Sequence, residues 1–212
     1  MSTTELVLIR HCEGWTPSDA AGSQAVQGLT GRGVAQAQAL AAYLVQEVPR
    51  LGTVAELYSS PLLRCLETAT LIAQALRLTP KLAPQLRPGS AAGEAERVAR
   101  YLAQLCEAHR GGRIVIIGDA STLSVASSVF AGATNGAGGL SLAALGHGWL
   151  SRWQHHDEKP DRAATWTLLQ YCDLEQLRLD FPSASPTTQP TAAPRRFQRA
   201  SLSTGPTGRE GR

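Results

Sequence analysis

Aromatic side chains are scarce in this chain of 212 residues, only 5% of the total, while Ala, Leu and Gly are abundant. That balance points away from an all-β sandwich and toward helices packed closely on a sheet. Long apolar runs are missing too: none approaches the ~20 residues needed to span a bilayer. The sequence passes from Met1-Ser2-Thr3-Thr4 straight into Leu6–Ile9. It lacks the basic start, longer apolar stretch and cleavage site of a secretory signal, so a cytoplasmic protein with no membrane partner is expected. The four cysteines (Cys12, Cys65, Cys106, Cys172) are scattered and form no Cys-x-x-Cys pair. Their spacing argues against a zinc site and for reduced thiols. No metal and no other cofactor is expected.

Charge excludes a further class. From Pro182 onward, Arg195, Arg196, Arg199, Arg209 and Arg212 stand against one glutamate, giving that segment +4 of the total +3 and leaving the rest at −1. A near-neutral body with a basic tail is not the footprint of a nucleic-acid-binding domain. The composition after about Phe181 is Pro, Ser, Thr, Gly and Arg. Such a stretch buries too little apolar surface to offset its ordering entropy. The chain therefore divides into a domain over 1–181 and a disordered basic tail over 182–212, the latter available to a partner.

What is present in the body is an alternation of strand-like and helix-like segments. It predicts an α/β fold with three layers, a mostly parallel central sheet with helices on both faces. Glu5–Arg10 is the short, nearly continuous apolar run of a central parallel strand. Thr30 caps a helix through Gln36, Leu40 and Leu44. Val54–Ser59 reads as a strand, and Leu62–Leu76 as a helix with Pro61 in its first turn. Lys81–Leu86 reads as an edge strand, Gly93–His109 as a helix, Arg113–Ile117 as a second strongly apolar strand, and Thr122–Ala131 as another helix. Ser141–Leu145, Trp149–Trp153 and Thr165–Leu169 suggest a closing antiparallel or mixed portion, with Gln154–Asp161 a polar turn that puts His155 and His156 at the surface.

Chemistry concentrates at Arg10-His11-Cys12-Glu13, at the C-terminal end of the first strand, where open α/β sheets bind their ligands. Two further segments belong with it: Leu29-Thr30-x-x-Gly33-x-x-Gln36-Ala37, and Ser59-Ser60-Pro61-Leu62-Leu63-Arg64-Cys65-Leu66-Glu67-Thr68-Ala69. In type, order and placement at element boundaries these resemble the histidine phosphatase (phosphoglycerate mutase-like) superfamily, over about residues 5–170. The short Leu86-Arg87-Pro88-Gly89 connection, without an inserted subdomain, is most similar to the small phosphohistidine phosphatase branch. Ala120-Ser121-Thr122-Leu123 resembles the phosphatase domain of the suppressor-of-T-cell-receptor-signalling proteins. The resemblance implies a phosphatase for a phosphorylated small molecule or phosphoprotein, with His11 taking up the phosphoryl group.

Residue types agree with that chemistry. A neutral imidazole, its other N–H tied to an acceptor, can attack phosphorus in line. Arg10 and Arg64 supply planar forks for phosphate oxygens. Glu13 can orient a neighbouring arginine. Cys12 replaces a small residue beside the nucleophile and would make the site sensitive to oxidation.

The resemblance breaks at one position. Relatives carry a second histidine after a later strand, and Ile116-Ile117-Gly118-Asp119 places Asp119 there. His109, His147, His155 and His156 do not stand at that strand end. An ionised aspartate would repel a phosphoryl group, by about 4 kcal/mol at 4 Å in a dielectric near 20. Either Asp119 is protonated and donates to the phosphate, or it pairs with Arg10 or Arg64 and leaves a pocket that binds anions poorly. A second departure is Pro88, near where many relatives have a catalytic glutamate; Glu94 and Glu96 lie on the exposed face of the following helix. The expected catalytic residues are His11, Arg10, Arg64 and Asp119; the expected substrate-binding residues are Arg10, Cys12, Arg64 and Asp119. Two functions follow: a metal-independent phosphatase slowed by Asp119, or an inactive relative serving as a phosphate-sensing or protein-binding module.

Overall fold

Val7 and Ile9 pack into one apolar cluster and Leu6 and Leu8 into another, on opposite faces of the first strand. Alternation of side chains along a strand produces that split, and burial on both faces is why the run reads as continuously apolar. The computed structural model describes residues 3–15, 27–89, 93–130, 146–156 and 165–172. In chain order these form β1 (Thr3–Arg10), α1 (Gly31–Leu51), β2 (Glu56–Ser59), α2 (Leu63–Leu76), β3 (Lys81–Leu82), a 3-10 turn (Pro84–Leu86), α3 (Glu94–Ala108), β4 (Arg113–Gly118), α4 (Ala120–Phe130), β5 (Leu150–His156) and β6 (Thr165–Cys172).

The six strands lie in the order β3-β2-β4-β1-β5-β6. The first four are parallel; β5 and β6 continue the sheet antiparallel. One face is covered by α1 and α2, through Ala37, Leu40, Leu44, Cys65, Ala69 and Ile72. The other face is covered by α3 and α4, through Val98, Leu102, Leu123, Ala126 and Phe130. This is the expected three-layer, mostly parallel α/β fold of phosphoglycerate mutase type. Among the described residues no helix is long and apolar enough to cross a membrane.

Thr30 caps α1, its hydroxyl accepting from the Gly33 amide at 3.0 Å. Three expectations need correction. The stretch Lys81–Leu86 is a two-residue strand followed by a 3-10 turn, because Pro84 and its fixed φ start the turn. His155 and His156 sit within β5, not in a turn. They do project apart, but His155 is only 6% exposed and lies against Trp166, ring centroids 4.6 Å apart. Glu94 is not on the open face of α3: its carboxylate accepts from the Gly89 amide, whereas Glu96 is exposed and paired with Arg100. The segment Ser141–Leu145 and the tail 182–212, with the boundary at 181, fall outside the described residues.

Candidate active site

Four element ends converge where the parallel strands finish. The end of β1 brings Arg10 and His11, the first turn of α2 brings Arg64, and the end of β4 brings Asp119. The fourth contributor, the turn before β5, brings His147, whose ring centroid is 5.5 Å from that of His11.

His11 is 4% exposed. Its Nδ1–H donates to the Cys12 carbonyl at 2.7 Å, which assigns the lone pair to Nε2. Nε2 accepts from Arg64 Nε at 3.0 Å. Burial, then the Arg64 and Arg10 charges, push the imidazole pKa down, against the opposing pull of Asp119 and the Cys12 carbonyl. His11 is thus a neutral imidazole whose Nε2 lone pair is engaged by Arg64.

Asp119 is bound at both oxygens. Oδ2 accepts from Arg64 Nη2 at 2.7 Å and stands 3.5 Å from His11 Nε2. Oδ1 accepts from the amide and hydroxyl of Ser121, each at 3.1 Å. The carboxylate therefore caps α4 in the ordinary way of an aspartate preceding a helix. Burial alone would raise its pKa, but the hydrogen bonds it accepts from Arg64 and Ser121 outweigh this and hold it well below the usual carboxylate range. Of the two alternatives for Asp119, the structure takes the ionised one, paired with Arg64. Burial is also the main cause that lowers the Arg10 pKa, with Arg64 adding to it and Asp119 opposing.

The remaining motif residues hold the backbone. The Cys12 amide donates to Thr68 Oγ1 at 3.1 Å, and that hydroxyl donates to the Arg64 carbonyl at 2.8 Å. The Glu13 amide donates to Gln36 Oε1 at 2.9 Å, and the Leu29 amide to Glu67 Oε2 at 2.6 Å. Gly33 is required by close approach: a Cβ there would lie 1.9 Å from the Glu13 carbonyl oxygen. Glu13 does orient an arginine, but it is Arg32, at 2.9 Å, with Thr30 Oγ1 donating to its other oxygen at 2.7 Å.

Cys12 must be corrected. Its side chain is 0% exposed and belongs to the cluster under α1 and α2. The strand ends at Arg10, so strand alternation no longer places the next side chains. Burial pushes the thiol up to about 12, which removes the thiolate that oxidation needs. Sequence reasoning missed His147. Its Gly146-His147-Gly148 setting signals a turn, but nothing local indicates that the turn folds back 136 positions onto His11.

The histidine thus stands with its Nε2 beside arginines at the carboxyl ends of a doubly covered parallel sheet. The model of the histidine phosphatase superfamily (branch 1) matches residues 6–91, which bears out the resemblance read from the motifs there. Among solved structures, a mycobacterial glucosyl-3-phosphoglycerate phosphatase is similar with a TM-score of 0.62 and 18% identity, covering 79% of this chain and 97% of its own. The protein histidine phosphatase SixA, complexed with tungstate, aligns at 0.62 and 18%, covering 82% and 99%. A phosphoserine phosphatase from Entamoeba histolytica aligns at 0.59 and 20%, covering 79% and 96%. At these identities the likeness is one of fold. No protein of curated function matches the chain.

Proposed function

We propose that this protein is a metal-independent phosphatase that hydrolyses a phosphomonoester or phosphohistidine through a phosphohistidine on His11. The family match and the fold support a phosphoric-ester hydrolase. The observation that carries the reading is the state of His11: buried, neutral, Nδ1–H on the Cys12 carbonyl and Nε2 toward Arg64. In the first step Nε2 attacks phosphorus, the N–P bond forms and the bond from phosphorus to the ester oxygen, or to the imidazole nitrogen of a phosphohistidine, breaks, the leaving atom taking a proton from solvent. In the second, water attacks phosphorus, the N–P bond breaks and inorganic phosphate departs. Arg10 and Arg64 hold the non-bridging oxygens.

Before that can happen Arg64 must release Asp119 and the His11 lone pair, both of which it now holds. A phosphate dianion therefore competes with a carboxylate already in place, and turnover is slow. The same pair favours a second reading, an inactive relative that senses phosphate or binds a protein. The deciding test is hydrolysis of an aryl phosphate. We expect slow, EDTA-insensitive turnover that His11→Ala abolishes; a rate equal to the His11→Ala background would leave only the second reading.

A further inference from the structure

We infer that His147 is the residue that donates a hydrogen bond to the bound phosphoryl group in place of the histidine that position 119 lacks. The inference rests on the phosphatase reading and names a further catalytic residue of the same site. The two imidazoles are 5.5 Å apart between centroids and tilted by 46°, close enough for one phosphoryl group to be reached by both rings. Its position is set by backbone, not by a mobile arm. The Gly148 amide donates to the His11 carbonyl at 3.2 Å, the Trp149 amide to Gly146 at 3.2 Å, and the Arg10 amide to Trp149 at 2.9 Å. Gly148 takes φ 73, which lets the turn close between His147 and the buried Trp149. The nucleophile and His147 are consequently held on one frame.

The surroundings determine what His147 does there. Arg10 and His11 face it from the end of β1, Glu13 from the following loop and Arg32 from α1. Burial first, then Arg10 and His11, push its pKa down to about 4, with Glu13 opposing. These groups favour the neutral form of His147. A phosphate dianion bound between Arg10 and Arg64 reverses the balance: it offsets the arginine charges and adds an acceptor, so the charged imidazole becomes the favoured form. One proton then passes from solvent to His147, and its N–H donates to a non-bridging oxygen. The site thereby acquires, on binding, the cation that Asp119 withholds.

The test follows histidine ring signals by NMR in the full chain, with and without inorganic phosphate, across pH 4–8. Phosphate is expected to shift the His11 signals and to raise the His147 pKa by two units or more. In His147→Asn the affinity for phosphate falls about tenfold or more while the His11 signals still respond. A shift at His11 with no change in the His147 titration overturns the inference and leaves the phosphatase reading standing. No shift at either ring overturns both. A packing role for His147 would lower stability in His147→Asn without giving the wild-type ring a phosphate-dependent pKa.

Discussion

The two walls of the site are built on different terms. The wall from β1 and α2 carries Arg10, His11 and Arg64 in the arrangement the sequence motifs imply, every backbone turn beneath it pinned by Thr30, Gln36, Glu67 or Thr68. The wall from β4 and the turn before β5 carries a carboxylate where a cation is expected, and a second imidazole from a segment with no motif at all. One wall sets Arg64 beside the His11 imidazole, and the other ties the same arginine to Asp119. The contrast teaches that the cationic and anionic groups of one site can be set on separate elements of one fold.

Exchanging the charge of the second wall should have the largest effect. Asp119→Asn keeps an α4 cap while removing the negative charge, and Asp119→His restores a cation at the loss of that cap, about 1 kcal/mol. If the carboxylate only obstructs, both raise kcat/KM on an aryl phosphate, His by roughly a hundredfold or more given ~4 kcal/mol per charge contact before screening. A fall in rate for both variants would show that Asp119 takes part in turnover and would dissolve the contrast.

The first wall is tested next, through Gly33. Gly33→Ala sets a methyl against backbone at Glu13, where neither side can yield cheaply. Chemical denaturation should show a loss above about 2 kcal/mol, together with weaker phosphate binding, since His11 lies two residues from the displaced carbonyl. Wild-type stability would place the rigidity of this wall elsewhere.

A smaller effect separates the walls by pH. His11 and His147 both have lowered pKa values in the folded state, so the unfolded chain binds more protons below its own value near 6.5. Stability is then complete above about pH 6.5 and declines as pH falls toward 4. The His147 part is of order 1 kcal/mol once solvent screening is allowed for. Thermal melts in His147→Asn should have a shallower acid slope than wild type; an unchanged slope would assign the whole effect to His11 and Asp119. Smallest of all is the expected response of Cys12, whose buried thiol should react with iodoacetamide only on unfolding. Rapid labelling of native protein would place it in the site after all.

Much of the first wall was legible because its information is local. A strand ending in Arg10-His11, a Thr30 cap and a proline before α2 each declare themselves within a few residues. The alternation of segments was enough for the layers, since a strand buried on both faces leaves an unbroken apolar run. What was hidden depends on pairing at long range. The run Gln154-His155-His156-Asp157 looked polar enough for a turn, yet its inward position on β5 buries His155 beside Trp166. Cys12 looked like a site residue because it follows His11 in sequence, whereas its side chain is buried in the cluster under α1 and α2. His147 needed the β1–β5 register, and no property of its own neighbours reveals that. Asp119 was visible as a substitution, but its bond to Arg64 emerges only when the start of α2 and the end of β4 come together.

The placement of β1 also bears on how the molecule comes together. Its partners are β4, with Glu5 opposite Arg113, and β5, with Thr3 opposite His156. The strand that ends beside His11 thus waits for segments made more than a hundred residues later on both of its sides. Loops of that span close slowly and raise the contact order of the fold. During synthesis the first wall has all its residues early but nothing to lie against, and His11 reaches its final setting only when β5 docks, late in the chain. A nascent chain ending before Leu150 would contain the entire family-matching segment and still have no assembled site.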